Sequence, residues 1–138
     1  MRMKSTKKKR ILLVDDNPSI LQILSMMLRS ENLEIETANN GAVALDLITN
    51  EPKGNFDIII TDYQMPVVDG QKFAETLKKY DEYKNIPIIL VTQEIHRKYE
   101  NDEKFRVFDK ILYKPITKDS LIESKNLLLE KSEYKQAQ

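Results

Sequence analysis

The chain has 138 residues, enough for one domain with a real core and too few for two. Its 22 basic and 22 acidic side chains cancel, so no global field draws it to nucleic acid or to a membrane, and specificity has to reside in a local site. The lack of cysteine excludes a disulfide framework, a thiolate metal site and a thiol nucleophile.

The N-terminus is basic, with Arg2, Lys4, Lys7, Lys8, Lys9 and Arg10. Only Ile11 to Val14 follow as an apolar stretch, which is no signal-peptide core and far too short to span a bilayer. Residues 1–9 are therefore expected to form a solvated, flexible leader on a soluble, cytoplasmic protein. Ile11 to Val14 reads as a strand covered on both faces. Asn17-Pro18 then supplies an N-cap and a first-turn proline for a helix to about Ser30, with Ile20, Ile23, Leu24, Met27 and Leu28 at helical spacing and Met26 and Met27 as core and boundary residues. Leu33, Ile35 and Thr37 alternate with Glu34 and Glu36, the pattern of a strand near a sheet edge. A short helix over residues 41–50 is closed by Pro52 and Gly54.

Phe56 to Thr61 is the most apolar of the strands. Pro66 and Asp69-Gly70 mark a loop before a helix carrying Phe73, Ala74 and Leu77 and ending near Tyr80. Ile86 to Val91 is a fourth strand, with Pro87 at its start, where a missing donor is tolerated. Residues 94–108 are expected to be helical though weakly amphipathic. Lys110 to Tyr113 is a fifth strand stopped by Pro115, and Thr117 can cap a last helix with Leu121, Ile122, Leu128 and Leu129. Five strand-then-helix units predict an α/β fold, a parallel sheet wrapped by helices on both faces through right-handed crossovers. The domain is expected over residues 10–132, with a polar tail at 133–138. The 24 residues after Lys114 leave no room for a DNA-binding or catalytic output domain, so the chain is expected to be either a stand-alone module or a piece of a longer regulator.

Polar residues close four of the apolar runs: Asp15-Asp16, Asp62, Thr92 and Lys114. In a parallel sheet all of them converge on the carboxyl edge, where open α/β folds place their sites. Any one alone is an ordinary cap, turn or strand-end residue. Together they put three carboxylates within a few ångströms, and charges that close raise one another's pKa values unless a cation neutralises them. Mg²⁺ suits such oxygens and bridges readily to phosphate. With Lys114 as a point charge and Thr92 as a hydroxyl, the parts are those of phosphoryl transfer to an aspartate. His96, the sole histidine, lies among charged residues and reads as exposed and without a role.

The strings Asp15-Asp16-Asn17, Asp62 to Gly70 (DYQMPVVDG), Val91-Thr92 and Lys114-Pro115, in that order, resemble the receiver domain of two-component response regulators, over Arg10 to about Glu130. The resemblance implies a flavodoxin-like three-layer sandwich with a five-stranded sheet of order 2-1-3-4-5. It implies that Asp62 accepts a phosphoryl group from a sensor histidine kinase or phosphotransfer protein, and that Asp15, Asp16, Asp62 and the Gln64 backbone carbonyl hold Mg²⁺. Thr92 and Lys114 would bind the phosphoryl group, and the Lys114-Pro115 peptide would be cis. The module would signal by contact with a downstream protein, as monomer or homodimer, without touching nucleic acid or membrane, and would be no enzyme beyond its own phosphorylation and dephosphorylation.

Three positions depart from the family pattern. Ile111 stands where the family carries its switching aromatic, and Tyr113 is two positions further along the same strand face. Gln93 follows Thr92, where Ala or Gly is usual, and would crowd the phosphoryl entrance, which Gln64 and Glu94 flank. The segment Val107 to Lys110 lacks the small Ala-Gly turn, which predicts an atypical fourth helix. These departures leave two alternative readings: a receiver-like scaffold that no longer switches, and a Mg²⁺-dependent phosphohydrolase with an aspartyl nucleophile, against which Gln64 stands where the second acid would be.

Overall fold

The computed structural model describes residues 8–29, 32–50 and 55–137, with side chains to residue 133. The elements follow in the order β1 Lys9–Val14, α1 Pro18–Leu28, β2 Leu33–Ala38, α2 Gly41–Thr49, β3 Ile58–Asp62, α3 Gly70–Lys78, β4 Ile88–Gln93, β5 Lys110–Lys114 and α4 Lys118–Ala137. The sheet is parallel throughout and its order is β2-β1-β3-β4-β5, as the resemblance implied.

The three central strands are buried at every position but Lys9 and Gln93, the two ends, which is why they read as unbroken apolar runs. Alternate residues feed two cores. Leu12, Val14, Ile59, Ile88 and Leu90 pack with α2, α3 and the segment before β5. Ile11, Leu13, Ile58, Ile60, Ile89 and Val91 pack with α1 and α4. Helix starts are capped by side chains, those at Asn17 and Thr117 as the sequence predicts. The Asn17 side chain accepts from Ser19 N at 2.9 Å, Asn40 from Val43 N at 2.9 Å, Asp69 from Lys72 N at 2.8 Å, and the Thr117 hydroxyl from Ser120 N at 3.1 Å.

Some expectations are corrected. Residues 94–108 do not form an α-helix. Two 3₁₀ segments, Glu94–Tyr99 and Glu103–Phe105, stand there instead. Only Phe105 and Phe108 of this stretch are buried, so no continuous apolar stripe rewards a regular helix against the sheet. The N-cap Asp102 restarts the chain between the two segments, accepting from Lys104 N at 3.3 Å. In α1, Leu24 and Leu28 are buried, whereas Ile23 and Met26 are exposed, so Met26 is no core residue. Phe56 is buried but precedes β3. Lys9 already belongs to β1, paired with Leu33, and α4 runs on through residues expected as tail. The rest of the basic leader up to Lys7, Ser30 at the end of the first helix, and Pro52 and Gly54 lie outside the described residues.

Candidate functional site

Register alone assembles the site. Val14 pairs with Thr61, so Asp15 and Asp62 emerge level at the carboxyl edge. Asp62 pairs with Val91, one residue before Thr92, and Gln93 pairs with Lys114. Carboxylate oxygens of Asp15, Asp16 and Asp62 all lie within 4.8 Å of one another. Lys114 Nζ stands across them, 3.5 Å from Asp15 and 3.6 Å from Asp62. Asp15 is buried, Asp62 is 9% exposed, and Asp16 is open to solvent. One oxygen of Asp15 also accepts from Asn17 N at 2.9 Å, which fixes its rotamer at the β1–α1 turn. Gln64 lies two residues beyond β3 with its side chain exposed. The Lys114-Pro115 peptide is cis.

Burial pushes the Asp62 carboxyl up from 3.8 to about 6; the Asp15 charge adds to this, and Lys114 pulls against it. The Asp15 carboxyl is also raised by burial, against the Asn17 amide and Lys114. One ammonium therefore does not balance three carboxylates. Such oxygen-only, net negative surroundings suit a hard divalent ion.

The loop from β3 to α3 is held tightly. A Cβ on Gly70 would sit 2.0 Å from the Asp62 carbonyl oxygen, and Gly70 N donates to Tyr63 O at 2.8 Å. The Thr61 hydroxyl donates to the Asp62 carbonyl at 2.9 Å. Val67 adopts φ 70° with Val68 N donating to Pro66 O at 2.8 Å, a tight three-residue turn that is rare for a β-branched residue. Val68 O in turn accepts from Gly41 N at 3.1 Å, so the start of α2 clamps the loop.

Thr92 is 1% exposed, and its Oγ1 lies 2.6 Å from Nδ1 of His96. The His96 ring is half-buried and packs against Tyr63, centroids 5.2 Å apart, and Tyr63 packs on Phe105 at 5.1 Å. The sequence reading of His96 as exposed is thus corrected: the ring is half-buried and in contact with Thr92 and Tyr63. Its one clue was the four-residue interval from Thr92. Ile111 is half-buried against the core that holds Phe105. The Tyr113 hydroxyl donates to Glu100 at 2.8 Å, and the Arg97 guanidinium covers its ring at 4.0 Å. Burial, then Glu100, pushes the Tyr113 hydroxyl up to about 12. Glu94 is occupied by Arg97 in an ion pair, and Gln93 is exposed.

A five-stranded doubly wound sheet with an acidic cluster facing a lysine at its carboxyl edge defines an α/β domain whose candidate site lies where open sheets of this kind place theirs. The response regulator receiver domain model matches residues 11–126, and the chain belongs to that family. It is a phosphorylation-switched signalling module of two-component systems. It is 27% identical over 126 residues to chemotaxis protein CheY-3 of Vibrio cholerae, covering 91% of this chain and 95% of that one. It is 29% identical over 120 residues to sensor histidine kinase GacS of Pseudomonas protegens, covering 85% of this chain. It spans only 10% to 13% of the length of the longer curated relatives, GacS among them. The structure of response regulator protein TrrA from Thermotoga maritima in complex with Mg(2+)-BeF superposes with a TM-score of 0.76 at 36% identity, covering 87% of this chain and 98% of that chain. Among the described residues no helix is long and apolar enough to cross a membrane.

Proposed function

We propose that Asp62 is the phosphoryl acceptor, supplied by a sensor histidine kinase or phosphotransfer protein, and that the chain signals in the cytoplasm by contact with a downstream protein. The observation that carries this is Lys114 Nζ set between Asp15 and Asp62 at the mouth of a net negative cluster. Asp15, Asp16, Asp62 and the Gln64 carbonyl would hold Mg²⁺, the donor set its chemistry calls for. When bound, the ion supplies positive charge to oxygens that gain charge during transfer.

An Asp62 oxygen attacks the phosphorus of a phosphohistidine. The O–P bond forms as the P–N bond breaks, and the imidazole leaves with the electron pair and takes up a proton. Lys114 neutralises the transferred oxygens, and the Thr92 hydroxyl donates to one of them. On this reading the chemistry is the module's own phosphorylation and dephosphorylation. Incubation with acetyl phosphate and Mg²⁺ followed by intact-mass measurement tests the assignment. The parent gains one base-labile phosphoryl group and Asp62→Asn gains none; equal modification of the two removes Asp62 from the role.

A further inference from the structure

Thr92 is buried, so its hydroxyl cannot trade partners with bulk water and needs a protein or ligand group at all times. It carries a single O–H. In this structure it is 2.6 Å from His96 Nδ1, a distance at the short end for such a bond. The imidazole cannot simply drift off. The 3₁₀ turn beginning at Glu94 carries it back over Thr92, and Tyr63, the residue after Asp62, packs against it at 5.2 Å with the planes tilted by 54°. Tyr63 is itself backed by Phe105 from the second 3₁₀ segment.

We propose that His96 is a positioning residue for the switch. Its Nδ1 accepts the Thr92 proton and holds that hydroxyl away from Asp62, so a phosphoryl group on Asp62 has to win Thr92 from the imidazole. The capture is an exchange of one acceptor for another with no net loss of hydrogen bonds, which keeps the two arrangements close in free energy and makes the switch reversible. Losing the bond frees the ring that Tyr63 packs against, with Phe105 behind Tyr63, so the 3₁₀ segments are the part of the surface that feels the change. Ile111 makes no such hydrogen bond, and the path through His96 does not depend on it. This proposal rests on Asp62 as acceptor and Thr92 as its hydroxyl partner.

The experiment uses beryllofluoride with Mg²⁺ as the phosphoryl mimic. His96→Phe keeps a ring against Tyr63 and removes the acceptor nitrogen, and should bind the mimic about three- to tenfold more tightly, the range of one exchanged hydrogen bond. His96→Ala should shift binding in the same direction, and thermal melting of both variants confirms that they fold. In a Thr92→Val background the same His96 substitutions should change nothing further. Unchanged or weaker binding by His96→Phe in the Thr92 parent overturns the latch. If instead adding Thr92→Val to His96→Phe leaves the tighter binding of that variant undiminished, Thr92 is not the phosphoryl partner and the underlying site assignment fails. A readout on the unaltered chain needs no variant. His96 is the sole histidine, so its ring ¹⁵N signals are unambiguous. Nδ1 should show the unprotonated, hydrogen-bonded shift before the mimic is added and move on its addition. A protonated Nδ1 at the start, or no movement on saturation, also overturns the proposal.

Discussion

The Asp62 carboxylate is costly in the folded chain. Its pKa is raised to about 6 chiefly by burial, so between pH 4 and 6 the folded state keeps a proton that the unfolded chain releases. Stability from this group is therefore fully present below 3.8 and is lost as pH rises through 6, a swing of about 3 kcal/mol for a shift of this size. In metal-free buffer Asp62→Asn should be more stable than the parent by about 1–3 kcal/mol at pH 8, with the difference shrinking toward pH 4. Urea denaturation at the two pH values measures it, and an advantage that does not change with pH would assign the effect to something other than ionisation. The carboxylates, Thr92 and Lys114 were legible in the sequence because each ends an apolar run, and parallel pairing then fixes where they meet. His96 was not legible. Its partner lies across a 3₁₀ turn, and hydrophobic periodicity does not report that geometry.

The loop from β3 to α3 shows how an element can control a site without lending it a side chain. Gly70 lets the first turn of α3 pass directly over the Asp62 carbonyl, where a methyl group would sit 2.0 Å from the oxygen. Backbone on backbone cannot yield as a flexible side chain would, so Gly70→Ala must displace either the end of β3 or the start of α3. The expected cost is about 3 kcal/mol or more in urea denaturation, together with a loss of Mg²⁺ and beryllofluoride affinity, because Asp62 moves with its carbonyl. If the variant lost stability but kept both affinities, the displacement would have been absorbed by α3 alone. The Asp-Gly pair announced this turn in the sequence. The positive φ of Val67 was not announced, since no glycine or asparagine marks it. The missing helix between β4 and β5 follows the same logic in reverse: its charged, irregular pattern was visible, but only the packing of Phe105 and Phe108 decides that two short turns replace it.

The molecule as a whole holds two separate charged centres, one at each end of β1. The acidic cluster occupies the carboxyl edge, and Arg10 is buried at the opposite end of β1, its side chain 3% exposed. Its guanidinium reaches Glu34 and Glu36 across the neighbouring strand and lies over the Phe56 ring at 4.4 Å. Its backbone amide donates to Asp57 at 2.8 Å. In the sequence Arg10 read as the last of the N-terminal basic residues and the first of the domain, and nothing marked it as buried, because the partners that bury it come from β2 and from the residues just before β3. Parallel pairing brings them together, and no local pattern records it. This arrangement predicts that the two ends are energetically independent, since sites this far apart with no shared partner usually add. Arg10→Ala should cost about 2–4 kcal/mol, partly lost ion pairing and partly lost packing of the stem. Arg10→Met should recover much of that, since Glu34 and Glu36 are exposed enough to be solvated when the cation goes. Both variants, where folded, should bind Mg²⁺ and beryllofluoride like the parent. Urea denaturation paired with a beryllofluoride titration decides it: weakened ligand binding in a folded Arg10 variant would mean that strain at the amino end of β1 travels the length of the strand to Asp15.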